Sequence, residues 1–225
     1  APARQRVEQG RLLAADVGAR AGVDDDVEIV SGAEQVRAEL TAQPWRNGGG
    51  VTWQIAAGPD GADVARFDWR LSMAEVAADG PFSAFAGIDR TLTLLQGAGL
   101  ELDFGGAAVR LVPGDAPLSF PGDAVVTGRL SSGPVTDLNV MTRRGVLCHH
   151  VAQIGVGEAL PPGCVALVAL AAQPDPAGGS PLSPGDTLLA DAAGGLATIT
   201  AAGPALAVVI RPARARHWIS GAADA

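Results

Sequence analysis

The residues best suited to chemistry form a few short blocks rather than one dense motif. Pro44-Trp-Arg-Asn-Gly-Gly-Gly50 puts an indole, a guanidinium and an amide beside three consecutive glycines, immediately before a strand-like run. Glycine triplets cost chain entropy and are kept where backbone turns or something approaches closely. Two readings follow: a bulge or strand start, or a rim where backbone N–H groups, Arg46 and Asn47 meet a small polar ligand. A second block runs from Phe67 to Val76, with Arg70 and Ser72 on the face opposite Phe67, Trp69, Leu71 and Met73. Asp89-Arg90 precedes a third strand, and Asp137, Asn139 and Met141 share one face of a fourth. An arginine fork offers a carboxylate two parallel charge-assisted hydrogen bonds, so these blocks point to a small carboxylate ligand. For each arginine alone, a solvated charge or structural ion pair is the alternative.

Other chemistries find less support. The histidines are His149, His150 and His217; adjacent strand residues face opposite ways, so the first two are poorly placed to share a metal. No metal site, cofactor or catalytic residue is assigned. A Ser-His-Asp triad can be assembled on paper from Ser72, but no nucleophile-elbow pattern supports it. Gly97 and Gly99 join two strands and open no dinucleotide-binding helix. Cys148 and Cys164 lack zinc spacing and are read as buried thiols.

The elements that must hold these residues are strands. Val51, Trp53 and Ile55 alternate with Thr52, Gln54 and Ala56, and the Phe67 block alternates likewise. Thr91 to Phe104 reads as a hairpin turning on Gln96-Gly-Ala-Gly99. Pro113-Gly-Asp115, Pro121-Gly-Asp123 and Pro184-Gly-Asp186 repeat one turn tripeptide. Cys164 to Ala171, Thr187 to Ala190, Leu196 to Thr200 and Ala205 to Ile210 add a second set of apolar strands, so the second half reads as a degenerate copy of the first. The fold class expected is all-β, a doubled jelly roll or barrel. Ser31-Gly-Ala-Glu34 matches a capping box and predicts a short N-terminal helix reaching about Leu40, after a short strand at Val27 to Val30. The expected division is a loosely attached extension over 1–26, an N-terminal half over 27–142 and a C-terminal half over 143–220.

Composition narrows the function classes. The 225 residues carry a formal charge of −8, and all sixteen cations are arginines. Without lysine there is no Schiff-base amine and no P-loop lysine; without tyrosine there is no phenolic acid or base. The acidic balance argues against nucleic acid as a partner. The longest apolar run, Cys164 to Ala172, is far below the ~20 residues of a membrane span, and no secretory leader is read near the start. The expectation is a cytoplasmic protein without a membrane partner; a homodimer is compatible with it.

Taken in order, Pro44 to Thr52, Phe67 to Phe82, Gly87 to Gly97, Phe120 to Asp123 and Asp137 to Met141 resemble the HutD/Ves family. The resemblance implies a cupin-type double-stranded β-barrel built as two related halves, a bicupin. It also implies an association with bacterial histidine utilisation, with N-formylglutamate or urocanate as candidate ligands and feedback control as the purpose. Carried over by position, it makes Trp45, Arg46, Asn47, Gly48 and Gly49 a pocket rim and adds Arg70, Ser72, Arg90, Asn139 and Met141. The family often has lysine where this chain has Arg46, and the clustered histidines of metal-binding cupins are absent here. The rival readings are a metal-independent isomerase or hydrolase using a carboxylate base, and an interaction module whose cavity is only packed core.

Overall fold

A computed structural model describes residues 33–36, 42–45, 48–59, 61–64, 66–190, 196 and 198–213. The expected extension over 1–26 and the strand expected at Val27 to Val30 lie outside them. Among the described residues there are fifteen strands. The first six are β1 (Ala33–Val36), β2 (Ala42–Pro44), β3 (Gly50–Gly58), β4 (Trp69–Val76), β5 (Gly80–Pro81) and β6 (Ile88–Gln96). Next come β7 (Leu100–Asp103), β8 (Ala108–Leu111), β9 (Leu118–Pro121), β10 (Thr127–Leu130) and β11 (Val135–Arg143). The last are β12 (Leu147–Ile154), β13 (Cys164–Ala169), β14 (Thr187–Ala190) and β15 (Ala205–Pro212). Among the described residues there is no helix, and hence none long and apolar enough to cross a membrane.

All pairings are antiparallel, and the strands form three sheets: β2-β3-β4-β11-β6-β9, β5-β10-β7-β8 and β1-β14-β13-β15-β12. The six-stranded sheet lies in the middle, and its alternating side chains serve two cores. On one face Val76, Leu92, Leu94 and Val135 pack with Phe82, Leu100, Leu102, Leu111 and Val126, closing an interior with the four-stranded sheet. On the other face Leu71, Leu138 and Val140 meet Val151, Ala166, Val168, Leu189, Leu206, Val208 and Ile210 of the five-stranded sheet. The far face of that third sheet is covered by residues from its connections, including Leu160, Leu182 and Leu196.

Several local expectations change. Within the segment expected as a helix, Ala33–Val36 is strand β1, paired with β14; the remainder of that segment lies outside the described residues. A capping-box pattern is a local signal, and partnership with a strand some 150 residues away overrides it. The two strands around Gln96 to Gly99 exist, but β6 and β7 belong to different sheets, so the turn is a corner between layers and not a hairpin. Space dictates glycine at Gly97, where a Cβ would come within 2.6 Å of Val135 Cγ1. Leu196 to Thr200 forms no strand over its described residues, only an isolated bridge from Thr200 to Ala159. Cys148 is exposed, not buried, while Cys164 is buried and its thiol is pushed up to about 11 by desolvation.

Two of the three repeated turns are built alike. Asp115 N donates to Val112 O at 3.1 Å while the Asp115 carboxylate accepts from Val112 N at 2.8 Å. Asp186 N likewise donates to Ser183 O at 2.9 Å, and the Asp186 carboxylate accepts from Ser183 N at 2.8 Å. Proline sits at the second position and a positive-φ glycine at the third, as a type II turn requires. The third copy is different: Asp123 turns its carboxylate to Arg144.

Candidate functional site

The glycine-rich block is the tip of the β2–β3 hairpin. Trp45 N donates to Gly50 O at 2.9 Å, Gly48 N donates to Trp45 O at 3.0 Å, and Gly49 O accepts from Ala77 N at 2.9 Å. Gly48 has φ +70°, and a Cβ at Gly50 would come 2.3 Å from the Glu75 carbonyl oxygen and 3.2 Å from the Trp45 ring. Backbone geometry therefore accounts for two of the three glycines. Trp45 folds over the hairpin, donates from Nε1 to Thr52 Oγ1 at 2.7 Å, and meets Phe82 edge-on at 6.3 Å between ring centroids. Arg46 and Asn47 lie outside the described residues.

Register brings the remaining candidates together. In the central sheet Ser72 lies opposite Gln54 on β3 and Asn139 on β11, while Met141 lies opposite both Arg70 and Arg90. Trp45, Arg70, Ser72, Arg90, Asn139 and Met141 thus line one cleft on the face toward the four-stranded sheet, completed by Thr52, Ala74, Phe82, Ser83 and Phe85. Gly48 and Gly49 stand in the hairpin turn and do not line it. The cleft has about 50 Å³ of space for water-sized occupants, room for a few waters or a carboxylate group.

Two guanidiniums are buried here, Arg70 with 4% and Arg90 with 6% of its surface exposed. Arg70 donates from Nε to Gln54 Oε1 at 3.0 Å, and its terminal nitrogens have no hydrogen-bond partner among the described residues. Arg90 donates from Nε and Nη2 to Asn139 Oδ1 at 2.8 and 2.5 Å and stacks near the rings of Phe82 and Phe120, 5.0 and 5.5 Å from their centroids. Asn139 Nδ2 donates onward to Asp137 Oδ1 at 2.5 Å. Asp137 is fully buried, and its Oδ2 has no partner. Burial lowers both arginines, Arg90 to about 10, so both remain charged near neutrality. Desolvation lifts Asp137 to about 6, against the opposing pull of Arg90 and the Asn139 hydrogen bond. For both members of this relayed pair, loss of water outweighs mutual attraction, because an amide stands between them where a direct ion pair would have been stronger.

The opposite face of β6 and β11 carries a second polar cluster that the sequence motifs do not assemble. His149 of β12 hydrogen-bonds through Nε2 with Thr91 Oγ1 at 2.8 Å and through Nδ1 with Thr142 Oγ1 at 2.7 Å; Thr91 in turn bonds Ser119 Oγ at 2.7 Å. These residues border an open cavity of about 310 Å³ with Asp89, Arg90, Phe120, Pro121 and Cys148, so Arg90 contributes to this cavity as well as to the inner cleft. Burial drives the imidazole down to about 4, so it is neutral at pH 7. Thr142 lies seven residues before His149 on the preceding strand, whereas Thr91 and Ser119 come from distant parts of the chain, and no motif marks the three as one cluster. Among the described residues, no group of three or more His, Cys, Asp or Glu side chains could hold a metal.

Comparison with known proteins gives a consistent picture. The family model described as HutD matches residues 37–207. Protein Ves of Citrobacter koseri is 42% identical over 101 residues, 44% of this chain and 52% of its own length. A 21.2 kDa protein from the hutC 3' region of Pseudomonas putida is 41% identical over 99 residues, 44% of this chain and 51% of its own. The chain spans about half the length of these curated relatives. Among solved structures, HutD from Pseudomonas fluorescens SBW25, in a formate condition, is 29% identical with a TM-score of 0.72, covering 81% of this chain and 100% of that one. A conserved protein of unknown function from Pseudomonas aeruginosa PAO1 is 28% identical with a TM-score of 0.63, covering 80% and 100%.

Proposed function

The chain belongs to the HutD family, and from that premise we propose that its inner cleft binds the carboxylate of a small metabolite of histidine utilisation. The observation that carries this reading is the charge imbalance of the cleft: two buried guanidiniums face it, and the terminal nitrogens of Arg70 have no hydrogen-bond partner among the described residues. A buried guanidinium whose fork meets no acceptor among the described residues is costly unless an anion completes it, and a carboxylate matches that fork. The cleft is small, so the carboxylate end of a ligand such as N-formylglutamate or urocanate, or a whole formate, fits the space as folded. The Pseudomonas putida relative from the hutC 3' region and the Pseudomonas fluorescens relative named HutD support the association with histidine utilisation.

The role is binding and regulatory, in the cytoplasm, without metal or other cofactor; a homodimer accords with it. An enzymatic reading as an isomerase or hydrolase needs a base at the ligand, and the described cleft lining contains no carboxylate, histidine or thiol. The bicupin description is supported by the matched turns at 112–115 and 183–186, which punctuate the two halves in the same way.

Thermal-shift titrations with formate, N-formylglutamate, urocanate and glutamate test the function. Stabilisation growing with the logarithm of concentration is expected, and Arg70→Gln should weaken it by about 1.5–3 kcal/mol, the worth of a charged hydrogen bond. Flat titrations with every carboxylate at millimolar concentration would overturn the reading.

A further inference from the structure

One group beneath the cleft has no role in holding the ligand. Asp137 is wholly enclosed, one of its oxygens is bonded to Asn139, and the other, Oδ2, meets no donor. Through Asn139 it is wired to Arg90, which lines the cleft. The charged groups facing this interior are few. Arg90 comes from β6 and Arg70 from β4. The opposing sheet contributes Leu100, Leu102, Leu111 and Leu130 to the core, while Glu101 and Arg129 of that sheet form an exposed surface pair. Asp137 is therefore the one described acidic group that shares the cations with an incoming anion.

Resting on the carboxylate-binding reading, we propose that ligand binding in the cleft is coupled to proton uptake at Asp137 Oδ2. The chemistry is a simple competition. When the ligand carboxylate settles against Arg70 and Arg90, a second negative charge enters a poorly hydrated space already holding the Asp137 carboxylate, and two like charges there disfavour one another. The ligand remains the anion because its fork contacts require it, so Asp137 takes the proton from solvent. The free Oδ2 accepts it without breaking the Asn139 hydrogen bond, so Asn139 still presents Oδ1 to Arg90. The burial that lifts the Asp137 carboxyl to about 6 puts this exchange within reach of ordinary cellular pH. The site thereby reads acidity and carboxylate concentration together.

Formate is the probe, since it stays ionised across the range of interest. Calorimetric titration at about pH 5.5, 6.5 and 7.5, in buffers of differing ionisation enthalpy, reads affinity and proton uptake separately. Formate affinity should fall as pH rises, by up to about tenfold per pH unit above the midpoint of the free protein. Asp137→Asn should flatten that dependence, abolish the proton uptake and bind formate more tightly than the unmodified chain at the highest pH. A carbon-13 titration of the Asp137 carboxyl in the unmodified protein keeps the test valid if the variant folds poorly; the resonance should titrate well above the usual aspartate range and move to higher pH with formate. Formate binding with no proton uptake, or an Asp137 that stays ionised throughout, overturns the coupling and leaves carboxylate binding intact. No formate binding at any pH overturns both.

Discussion

Replacing Asp137 with asparagine removes a charge from the interior while keeping the side-chain shape, and its effect on stability can be worked out directly. The unfolded carboxyl titrates near 3.8 and the folded one near 6 because burial penalises the anion. A raised carboxyl makes folding costly wherever the group is ionised in both states. Stability therefore increases as pH falls through 6 and levels off below the unfolded value, the reverse of a salt-bridged aspartate. The gap between the two titration midpoints is worth about 3 kcal/mol in all, of which roughly half accrues between about pH 7.5 and 5. Urea unfolding of the unmodified chain and Asp137→Asn at those two pH values isolates the contribution as a double difference, because groups common to both cancel. The unmodified chain should gain about 1–2 kcal/mol relative to the variant on acidification. Parallel curves would mean the carboxyl titrates normally. A relative loss would mean that attraction to Arg90 exceeds the desolvation penalty, and the account of the buried cluster would be refuted.

His149 should act in the opposite direction. Its imidazole is held neutral, down from 6.5 to about 4, so folded-state stability is lost as pH drops below 6.5, and His149→Gln should recover about 2 kcal/mol relative to the unmodified chain between pH 7.5 and 5 in the same assay. Gly50→Ala drives a Cβ into the Glu75 carbonyl oxygen and should cost about 1–3 kcal/mol by thermal unfolding, whereas an unchanged melting temperature would show that the β3–β4 pair can spread. Phe82→Leu removes the ring that meets Trp45 edge-on and lies against the Arg90 guanidinium; a loss of about 1–2 kcal/mol in stability is expected, with weakened carboxylate binding as the second readout.

What the sequence made legible was whatever depends on alternation. Arg70 and Ser72 oppose Leu71 and Met73 in the residue pattern, and the folded chain separates them onto the cleft and the intersheet core. Asp137, Asn139 and Met141 share a face for the same reason. Partnership across the chain was not legible. The bulge at Ile55, which sets Gln54 opposite Ser72 and the next paired residue, Ala56, opposite Leu71, leaves no mark in the residue pattern, and the glycine turn before Leu100 gives no hint of which sheet receives the next strand. The β1 pairing with β14 and the Thr91–His149 bond likewise join residues tens to more than a hundred positions apart. Local composition carries no information about such distances.

Along β4, β6 and β11 the central sheet is packed on both faces except at the open cavity beside Thr91 and Thr142, and this limits how the chain can change length. In a sheet with one wet face, a slip of one residue exchanges buried for exposed side chains, and part of the strand can still be salvaged. Here Arg90 and Thr91 are neighbours on β6 yet belong to different compartments, one among aromatic rings and the other beside an imidazole. A one-residue deletion between Ile88 and Leu92 would send the guanidinium into the cluster of hydroxyls and deliver a threonine to Asn139, spoiling both compartments at once. Insertions and deletions should therefore be confined to segments such as 104–107 and 174–181, while the three inner strands keep a fixed residue count. In those strands, length itself is a determinant of the binding site.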